Sequence, residues 1–195
     1  MKDFWESLVD DSYDFEREWI RSDDASIEEC IEALSPIYGP ALEIGSGTGL
    51  LARAVSEKGI EVTGIDISES LIEYAQRTPS NVKYLLCSGD GYIPIDVPDE
   101  GWYNTVYSAF VFQHCDLETV HTYIAEAHRC LVAGGALTFQ YVTDCERSEL
   151  SFPHKPEMIA ALCEETGFKV VSNKQKLIPE WNWIWCRKEG SSSGR

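Results

Sequence analysis

Basic residues are scarce in this chain. It contains 16 Lys and Arg against 33 Asp and Glu, so its formal net charge is −17. Such an acidic surface repels phosphate backbones, and no run of Lys or Arg forms a basic stripe, which disfavours DNA or RNA as a partner. Solubility alone explains an acidic surface, and small molecules or cationic partners stay open.

Long apolar runs and paired cysteines are also absent. No stretch of about 18 apolar residues occurs, so we expect no membrane span. The acidic start MKDFWESLVDD lacks the apolar segment of a signal peptide. The seven cysteines are odd in number and form no C-x-x-C pair, which favours reduced thiols over a disulfide framework or a zinc site. These absences predict a cytoplasmic protein.

Apolar strands alternate with amphipathic helices from Pro40 onward. Strands are predicted at 41–44, 61–65, 82–86, 103–109 and 136–142, and helices at 50–58, 69–76 and 117–131. Another helix ends near Gly167, and two closing strands, FKVVSNKQ and EWNWIWCR, are close enough in sequence to pair antiparallel. Alternation of this kind favours a parallel sheet that is covered on both faces.

The domain organisation follows from this pattern. We expect one α/β domain over residues 36–188 and a disordered tail over 189–195. A helical extension over 1–35, expected to cover the functional site, would contain helices at 4–20 and 27–34. A capping box formed by Ser26 and Glu29 opens the second of them.

A glycine-rich turn follows the first predicted strand. In LEIGSGTGLLA the glycines stand at 45, 47 and 49, between the strand and the next helix. Backbone N–H groups at such a helix start bind anions, and glycine lets a ligand approach closely. The dinucleotide fingerprint needs its third glycine at position 50, which is Leu, and a Walker loop needs a Lys that is missing. The spacing therefore disfavours a pyrophosphate ligand.

Two acidic residues follow at the same edge of the predicted sheet. Asp66 ends the second strand about 20 residues after the turn, where a ribose-binding acid is expected. Ser68 suits the N-cap of the next helix, which leaves Asp66 free to face a ligand. Asp90, in the loop CSGDGYIPI, is placed to accept a hydrogen bond from an adenine amino group. The alternatives are that Asp66 is a simple turn residue and Asp90 an ordinary Asx turn.

Five blocks of this sequence resemble the class I S-adenosylmethionine-dependent methyltransferases. They are EIGSGTG, TGIDIS, SGDGYIPI, YSAFVFQH and LVAGGALTF, in the order and spacing of that family. The resemblance spans residues 36–188 and points to the small-molecule group that includes ubiquinone-biosynthesis-like enzymes. It implies a Rossmann-like, seven-stranded, mostly parallel sheet of order 3-2-1-4-5-7-6, with strand 7 antiparallel and helices on both faces. It also implies S-adenosyl-L-methionine as the cofactor.

The same resemblance implies roles for individual residues. The glycine turn would approach the methionine part of the cofactor, with Glu43 orienting the turn or the ammonium group. Asp66 would take the ribose hydroxyls, and Ile67 would pack on the adenine. Asp90 would bind the adenine amino group. The implied cofactor set is Glu43, Gly45, Ser46, Gly47, Gly49, Asp66, Ile67, Asp90, Gly91, Ser108 and Ala109.

The acceptor side has weaker signals. His114 follows the fourth strand, and since histidine titrates near neutrality it is the first candidate for a general base; His154 is the second. The alternative for His114 is that it caps the next helix or packs beside the cofactor. Aromatic side chains at helical spacing usually belong to a core, but five are candidates for the substrate wall: Trp5, Tyr13, Trp19, Tyr141 and Phe152. No set of residues has the spacing of metal ligands, so we predict no metal.

These observations predict a methyltransferase that acts on an oxygen or nitrogen atom of a small molecule. The fourth strand ends in SAFVFQH and lacks the N/D-P-P-Y/F motif, which also disfavours methylation of nucleic acid. Three alternatives stay open: a cofactor-binding regulatory module without turnover, a nicotinamide-dependent oxidoreductase, and another S-adenosylmethionine-dependent transferase such as an aminopropyl transferase. Leu50 argues against the oxidoreductase. The oligomeric state has no signal in the sequence.

Overall fold

A computed structural model describes residues 2–7, 26–94, 96–97, 101–144 and 151–190, which fold around a seven-stranded sheet. The strands are β1 (Ala41–Ile44), β2 (Val62–Asp66), β3 (Lys83–Leu86), β4 (Tyr103–Ser108), β5 (Leu131–Val142), β6 (Phe168–Gln175) and β7 (Trp181–Lys188). Their spatial order is β3-β2-β1-β4-β5-β7-β6. Strand β7 runs antiparallel to both of its neighbours, β5 and β6, and the other neighbouring pairs of described strands are parallel. The predicted fold class is confirmed.

Helices connect the strands and cover both faces of the sheet. They are α1 (Lys2–Ser7), α2 (Ile27–Leu34), α3 (Leu50–Ser56), α4 (Glu69–Arg77), α5 (Leu117–Cys130) and α6 (Pro156–Glu165). The capping box that opens α2 is confirmed: the Glu29 carboxylate accepts from the Ser26 N–H at 2.7 Å, and the Ser26 hydroxyl accepts from the Glu29 N–H. Of the helix predicted over 4–20, residues 8–20 lie outside the described part of the chain.

Two apolar cores pack against the sheet, one on each face. One contains Val120 and Ile124 of α5 together with Ile159 of α6. The other contains residues of α2, α3 and α4, including the fully buried Leu34. The sequence pattern places α2 in an N-terminal extension. In the structure, its apolar face packs into this second core. None of the described helices is long and apolar enough to cross a membrane.

Strand β5 begins earlier than the sequence pattern predicts. It starts at Leu131, directly after α5, whereas the apolar run suggests a start at 136. The pairing with β4 is irregular here: Tyr103 pairs with Leu131, but Thr105 pairs with Ala136. The two glycines of LVAGG lie inside this irregularity, and Gly134 has a φ of 77°. The glycines thus form a bulge within the strand rather than a turn before it.

Candidate active site

A cavity opens where the carboxyl ends of the central parallel strands meet. This edge is where open α/β sheets bind their ligands, because the loops after the strands diverge there. The lining comes from the glycine turn after β1, the ends of β2 and β3, the segment after β4, and helices α1 and α2. Among the lining residues are Trp5, Ser26, Cys30, Glu43, Gly45, Ser46, Gly47, Thr48, Asp66, Ile67, Cys87, Gly89, Ala109, Phe110, Val111, His114, Cys115 and Tyr123.

The glycine turn has a backbone that favours glycine at three positions. Gly45, Gly47 and Gly49 have φ values of 73°, 52° and 77°, a region in which other residues are strained. A Cβ on Gly45 would overlap the Val111 side chain, and one on Gly49 would overlap the Tyr84 hydroxyl. A Cβ on Gly47 would meet nothing within 4 Å. Gly45 and Gly49 are thus required by packing, whereas Gly47 borders open space in the cavity.

Asp66 connects this turn to the end of β2. Its side chain is 7% exposed. One carboxylate oxygen accepts from the Gly47 N–H at 2.7 Å and the other from the Ser68 N–H at 3.0 Å. Burial raises the pKa of Asp66, and these hydrogen bonds oppose the rise. The predicted ribose acid therefore also holds the shape of the turn, a role that sequence spacing did not indicate.

Glu43 lies beneath the turn in an apolar setting. It is 3% exposed, and the Tyr107 hydroxyl donates to its carboxylate at 3.3 Å. Burial raises the pKa of Glu43 well above its usual range, because a buried carboxylate is poorly solvated. Nearby, the buried Ser46 hydroxyl has no hydrogen-bond partner among the described residues.

These groups fit the amino-acid end of the cofactor that the sequence resemblance implies. A buried carboxylate gains stability from an ammonium or sulfonium cation. An orphaned hydroxyl gains a partner, and the helix-start N–H groups of the turn suit a carboxylate. The predicted residues Glu43, Gly45, Ser46, Gly47, Asp66, Ile67 and Ala109 all line this one cavity.

Four predicted cofactor residues are not part of the lining. The exposed Asp90 accepts from the Ser88 hydroxyl and from the Tyr92 N–H, which is the geometry of an Asx turn. The Ser88 hydrogen bond lowers the pKa of Asp90. The Ser108 hydroxyl donates to the Ile44 carbonyl at 2.8 Å. Gly49 and Gly91 pack against Tyr84 and Thr122. A direct cofactor contact from any of these four stays a prediction.

Cys87 and Gly89 were missed by the sequence reasoning. They follow β3 at the same edge of the sheet and line the cavity in place of Asp90. Their position just after a parallel strand was the available signal. Phe110 also lines the cavity; it has a φ of 63°, and its ring centroid lies 4.7 Å from that of Trp181. Nothing in the sequence predicts that backbone conformation.

Two predicted acceptor-side residues come together at the cavity. His114 lies in a single 3-10 turn, Phe112–His114, after β4. The ring of Trp5 meets the His114 imidazole edge-on, with centroids 5.1 Å apart. The Gln113 amide nitrogen lies 3.1 Å from His114 Nε2. Both rings line the same cavity. Tyr13 and Trp19 lie outside the described residues.

The remaining candidates have structural environments. Tyr141 is fully buried in β5, where its hydroxyl donates to Asn173 at 2.6 Å. The Phe152 N–H donates to the Gln113 carbonyl, and its ring is not part of the lining. His154 is buried, with Nε2 3.0 Å from the Cys115 carbonyl, and burial lowers its pKa. His154 thus supports the turn that carries His114. In the described part of the chain, no group of three His, Cys, Asp or Glu is placed to hold a metal ion.

The central segment of the chain is similar in sequence to known methyltransferases. A family model described as a methyltransferase domain matches residues 41–135. Demethylmenaquinone methyltransferase of Tropheryma whipplei is 29% identical over 99 residues, or 49% of this chain and 38% of that protein. Malonyl-(acyl-carrier protein) O-methyltransferase of Pectobacterium atrosepticum is 29% identical over 125 residues, or 63% of this chain and 47% of that protein. The chain thus spans less than half the length of these curated relatives.

A solved structure extends the likeness over the whole fold. Magnesium protoporphyrin IX methyltransferase from Synechocystis PCC 6803, with bound SAH, has a TM-score of 0.72. The match covers 96% of this chain and 98% of that one, at 16% identity. At this identity the likeness shows the shared fold.

Proposed function

We propose that this chain is a class I S-adenosylmethionine-dependent methyltransferase that transfers a methyl group from S-adenosylmethionine to an oxygen or nitrogen atom of a small molecule. One observation carries the proposal. A single cavity at the carboxyl edge of the sheet joins the glycine turn, the buried acids Glu43 and Asp66, and the Trp5–His114 pair. Oxygen is placed ahead of nitrogen, since one relative is an O-methyltransferase by name.

Methyl transfer requires mainly that the acceptor atom and the methyl group of the cofactor be aligned. When bound, the cofactor supplies an activated methyl group on a sulfonium. The protein then has to hold acceptor and cofactor in line, which lowers the entropic part of the barrier. Glu43, Ser46 and Asp66 would bind and orient the cofactor, and Trp5 would exclude water from the acceptor side. His114 would accept the proton of a hydroxyl or ammonium acceptor.

The partners and the compartment are part of the same proposal. We infer a small-molecule substrate, because a net charge of −17 opposes nucleic acid. We also infer a cytoplasmic protein that acts away from membranes. The six cysteines in the described residues are free thiols, as is usual in a reducing compartment.

Calorimetry tests the cofactor part of the proposal. We expect S-adenosylhomocysteine to bind and NADH to give no heat. The reverse result would replace the proposal with an oxidoreductase. Methyl transfer is then measured with radiolabelled S-adenosylmethionine against a panel of phenols, carboxylic acids and amines. Binding of S-adenosylhomocysteine without transfer to any acceptor would favour a regulatory module.

Replacing Glu43 with Gln is expected to stabilise the apoprotein and weaken ligand binding. Because the folded pKa of Glu43 is raised above the unfolded value near 4.3, its ionisation costs stability progressively as the pH rises above that value. Gln removes this cost and still accepts from Tyr107, so the free energy of unfolding should rise by about 1–2 kcal/mol at neutral pH.

Thermal unfolding at about pH 5 and about pH 8 checks the Glu43→Gln prediction, since the gap between variant and wild type should widen with pH. The affinity for S-adenosylhomocysteine should fall in the same variant, because the ammonium loses its counter-charge. A constant gap in stability between these pH values would mean that the pKa of Glu43 is not raised in the folded protein. Unchanged affinity would remove Glu43 from the cofactor site.

Replacing His114 with Ala tests its role as general base. With an acceptor from the panel, kcat/KM should fall by about 10²–10⁴-fold. The rise of the rate with pH that reports histidine deprotonation should disappear as well. His121→Ala, at an exposed histidine of α5, is the matched control. If the pH–rate profile of the His114 variant keeps that rise, another group removes the proton.

A further inference from the structure

Helix α1 is attached to the cofactor side of the cavity by one carboxylate. Glu6 accepts hydrogen bonds from the first turn of α4. The Ser70 hydroxyl donates to Glu6 at 2.6 Å and the Ser68 hydroxyl at 3.2 Å. The backbone N–H groups of Glu69 and Ser70 donate at 2.8 and 3.1 Å. Both carboxylate oxygens are engaged, although Glu6 is more than 60 residues away in sequence.

This position favours a carboxylate for two physical reasons. The first N–H groups of a helix have no partner within the helix, and the helix dipole makes that end positive. Helix α4 has nine residues, and its own cap, the Ser68 hydroxyl, already accepts from the Leu71 N–H at 3.2 Å. Glu6 satisfies the donors that remain. Hydrogen bonds, led by that from Ser70, lower the pKa of Glu6 to about 2, so the contact is charged at neutral pH.

The same contact determines where Trp5 lies. Trp5 directly precedes Glu6 in α1, lines the cavity, and contacts the His114 ring. On the other side, Ser68 donates through its N–H to Asp66, and Asp66 accepts from the Gly47 N–H. A continuous set of hydrogen bonds thus runs from the glycine turn through Asp66 and Ser68 to Glu6.

We propose that Glu6 is a positioning residue that holds Trp5 as a cover over the cavity by capping α4, and that it thereby slows release of the bound nucleoside. The inference rests on the proposed function for the identity of the nucleoside. It adds that the cover is held from the cofactor side, through helix α4, which begins three residues after Asp66. A ligand that orders Asp66 would stabilise the same hydrogen bonds and keep the cavity covered.

The dissociation rate of S-adenosylhomocysteine tests this role. In stopped-flow displacement with excess unlabelled ligand, Glu6→Ala should release the nucleoside about tenfold faster, because contacts that close a site act mainly on dissociation. Glu6→Gln keeps only one acceptor oxygen and should lie between Glu6→Ala and wild type. Asp3→Ala removes an exposed carboxylate from the same helix and should release the nucleoside at the wild-type rate.

A double-mutant comparison separates positioning from a general loss of structure. If Glu6 acts through Trp5, the Glu6→Ala/Trp5→Ala protein should release the nucleoside no faster than Trp5→Ala alone. Hydrogen exchange should also accelerate at the Glu69 and Ser70 amides in Glu6→Ala, with the sheet unchanged. Additive effects of the two substitutions, or equal rates in Glu6→Ala and Asp3→Ala, would overturn the inference. If wild-type protein does not bind S-adenosylhomocysteine, the proposed function itself fails.

Discussion

Asp66→Asn should lower the affinity for S-adenosylhomocysteine by about 100-fold or more, because the substitution affects two sets of hydrogen bonds. The two carboxylate oxygens of Asp66 face two N–H donors, those of Gly47 and Ser68. Asn has one oxygen and one NH₂ group, so one of these donors would face another donor. Hydrogen bonds to charged groups contribute about 1.5–3 kcal/mol each. The glycine turn would loosen, and the ribose hydroxyls would lose a charged acceptor.

Calorimetric titration with S-adenosylhomocysteine measures the effect of Asp66→Asn. Asp116→Asn is the matched control, since it is the same chemical change at the N-cap of α5. Asn is as good an N-cap as Asp, and Asp116 does not line the cavity, so affinity should stay the same. If Asp66→Asn folds normally and binds with wild-type affinity, Asp66 is a turn residue without a role in binding.

Gly45→Ala should destabilise the fold more than Gly47→Ala, although both glycines have positive φ. At Gly45 the new methyl group would overlap Val111. Overpacking and the left-handed backbone together should cost ~3 kcal/mol, which lowers the melting temperature by about 10 °C in a chain of this size. At Gly47 the methyl group meets no protein atom within 4 Å. The fold should lose only the backbone cost, about 1–2 kcal/mol.

Ligand binding should distinguish the two glycine variants further. The new methyl group in Gly47→Ala would occupy space beside the N–H that donates to Asp66. A bound ligand would have to move away from this methyl group, so the affinity for S-adenosylhomocysteine should fall by about tenfold or more. Gly59→Ala provides the control for backbone strain: its φ is 82°, its Cβ would meet nothing within 4 Å, and it lies outside the cavity lining. Wild-type affinity in Gly47→Ala would mean that the ligand avoids the middle of the turn.

The sequence predicted local features well. The spacing of the three glycines, the N-cap at Ser68 and the capping box at Ser26 depend on residues within four positions of one another, and the structure contains each of them. The alternation of strands and helices was also readable, because burial on both faces leaves continuous apolar runs. The start of β5 was predicted wrongly: the apolar run suggested position 136, whereas the strand begins at Leu131 and contains a bulge at Gly134.

Which residues form the site was harder to predict from the sequence. Asp90 and Cys87 both follow β3, and spacing alone favoured the acid, but Asp90 is bound within its own loop and Cys87 lines the cavity. Tyr141 and Trp5 were both candidates for the substrate wall because both are aromatic. Tyr141 lies in the core of the sheet, whereas Trp5 reaches the cavity because Glu6 attaches α1 to α4.

By itself, the sequence determined the alternating α/β pattern and the glycine turn, and the resemblance it carries predicted the order of the strands and the kind of cofactor. Those features are encoded in short segments, where local hydrogen bonds and the period of apolar residues decide the structure. The tertiary structure decided which side chains face the cavity, the second role of Asp66, and the meeting of Trp5 with His114. These depend on contacts between residues far apart in the chain, and no local pattern specifies which side of a loop or helix such a contact will bury.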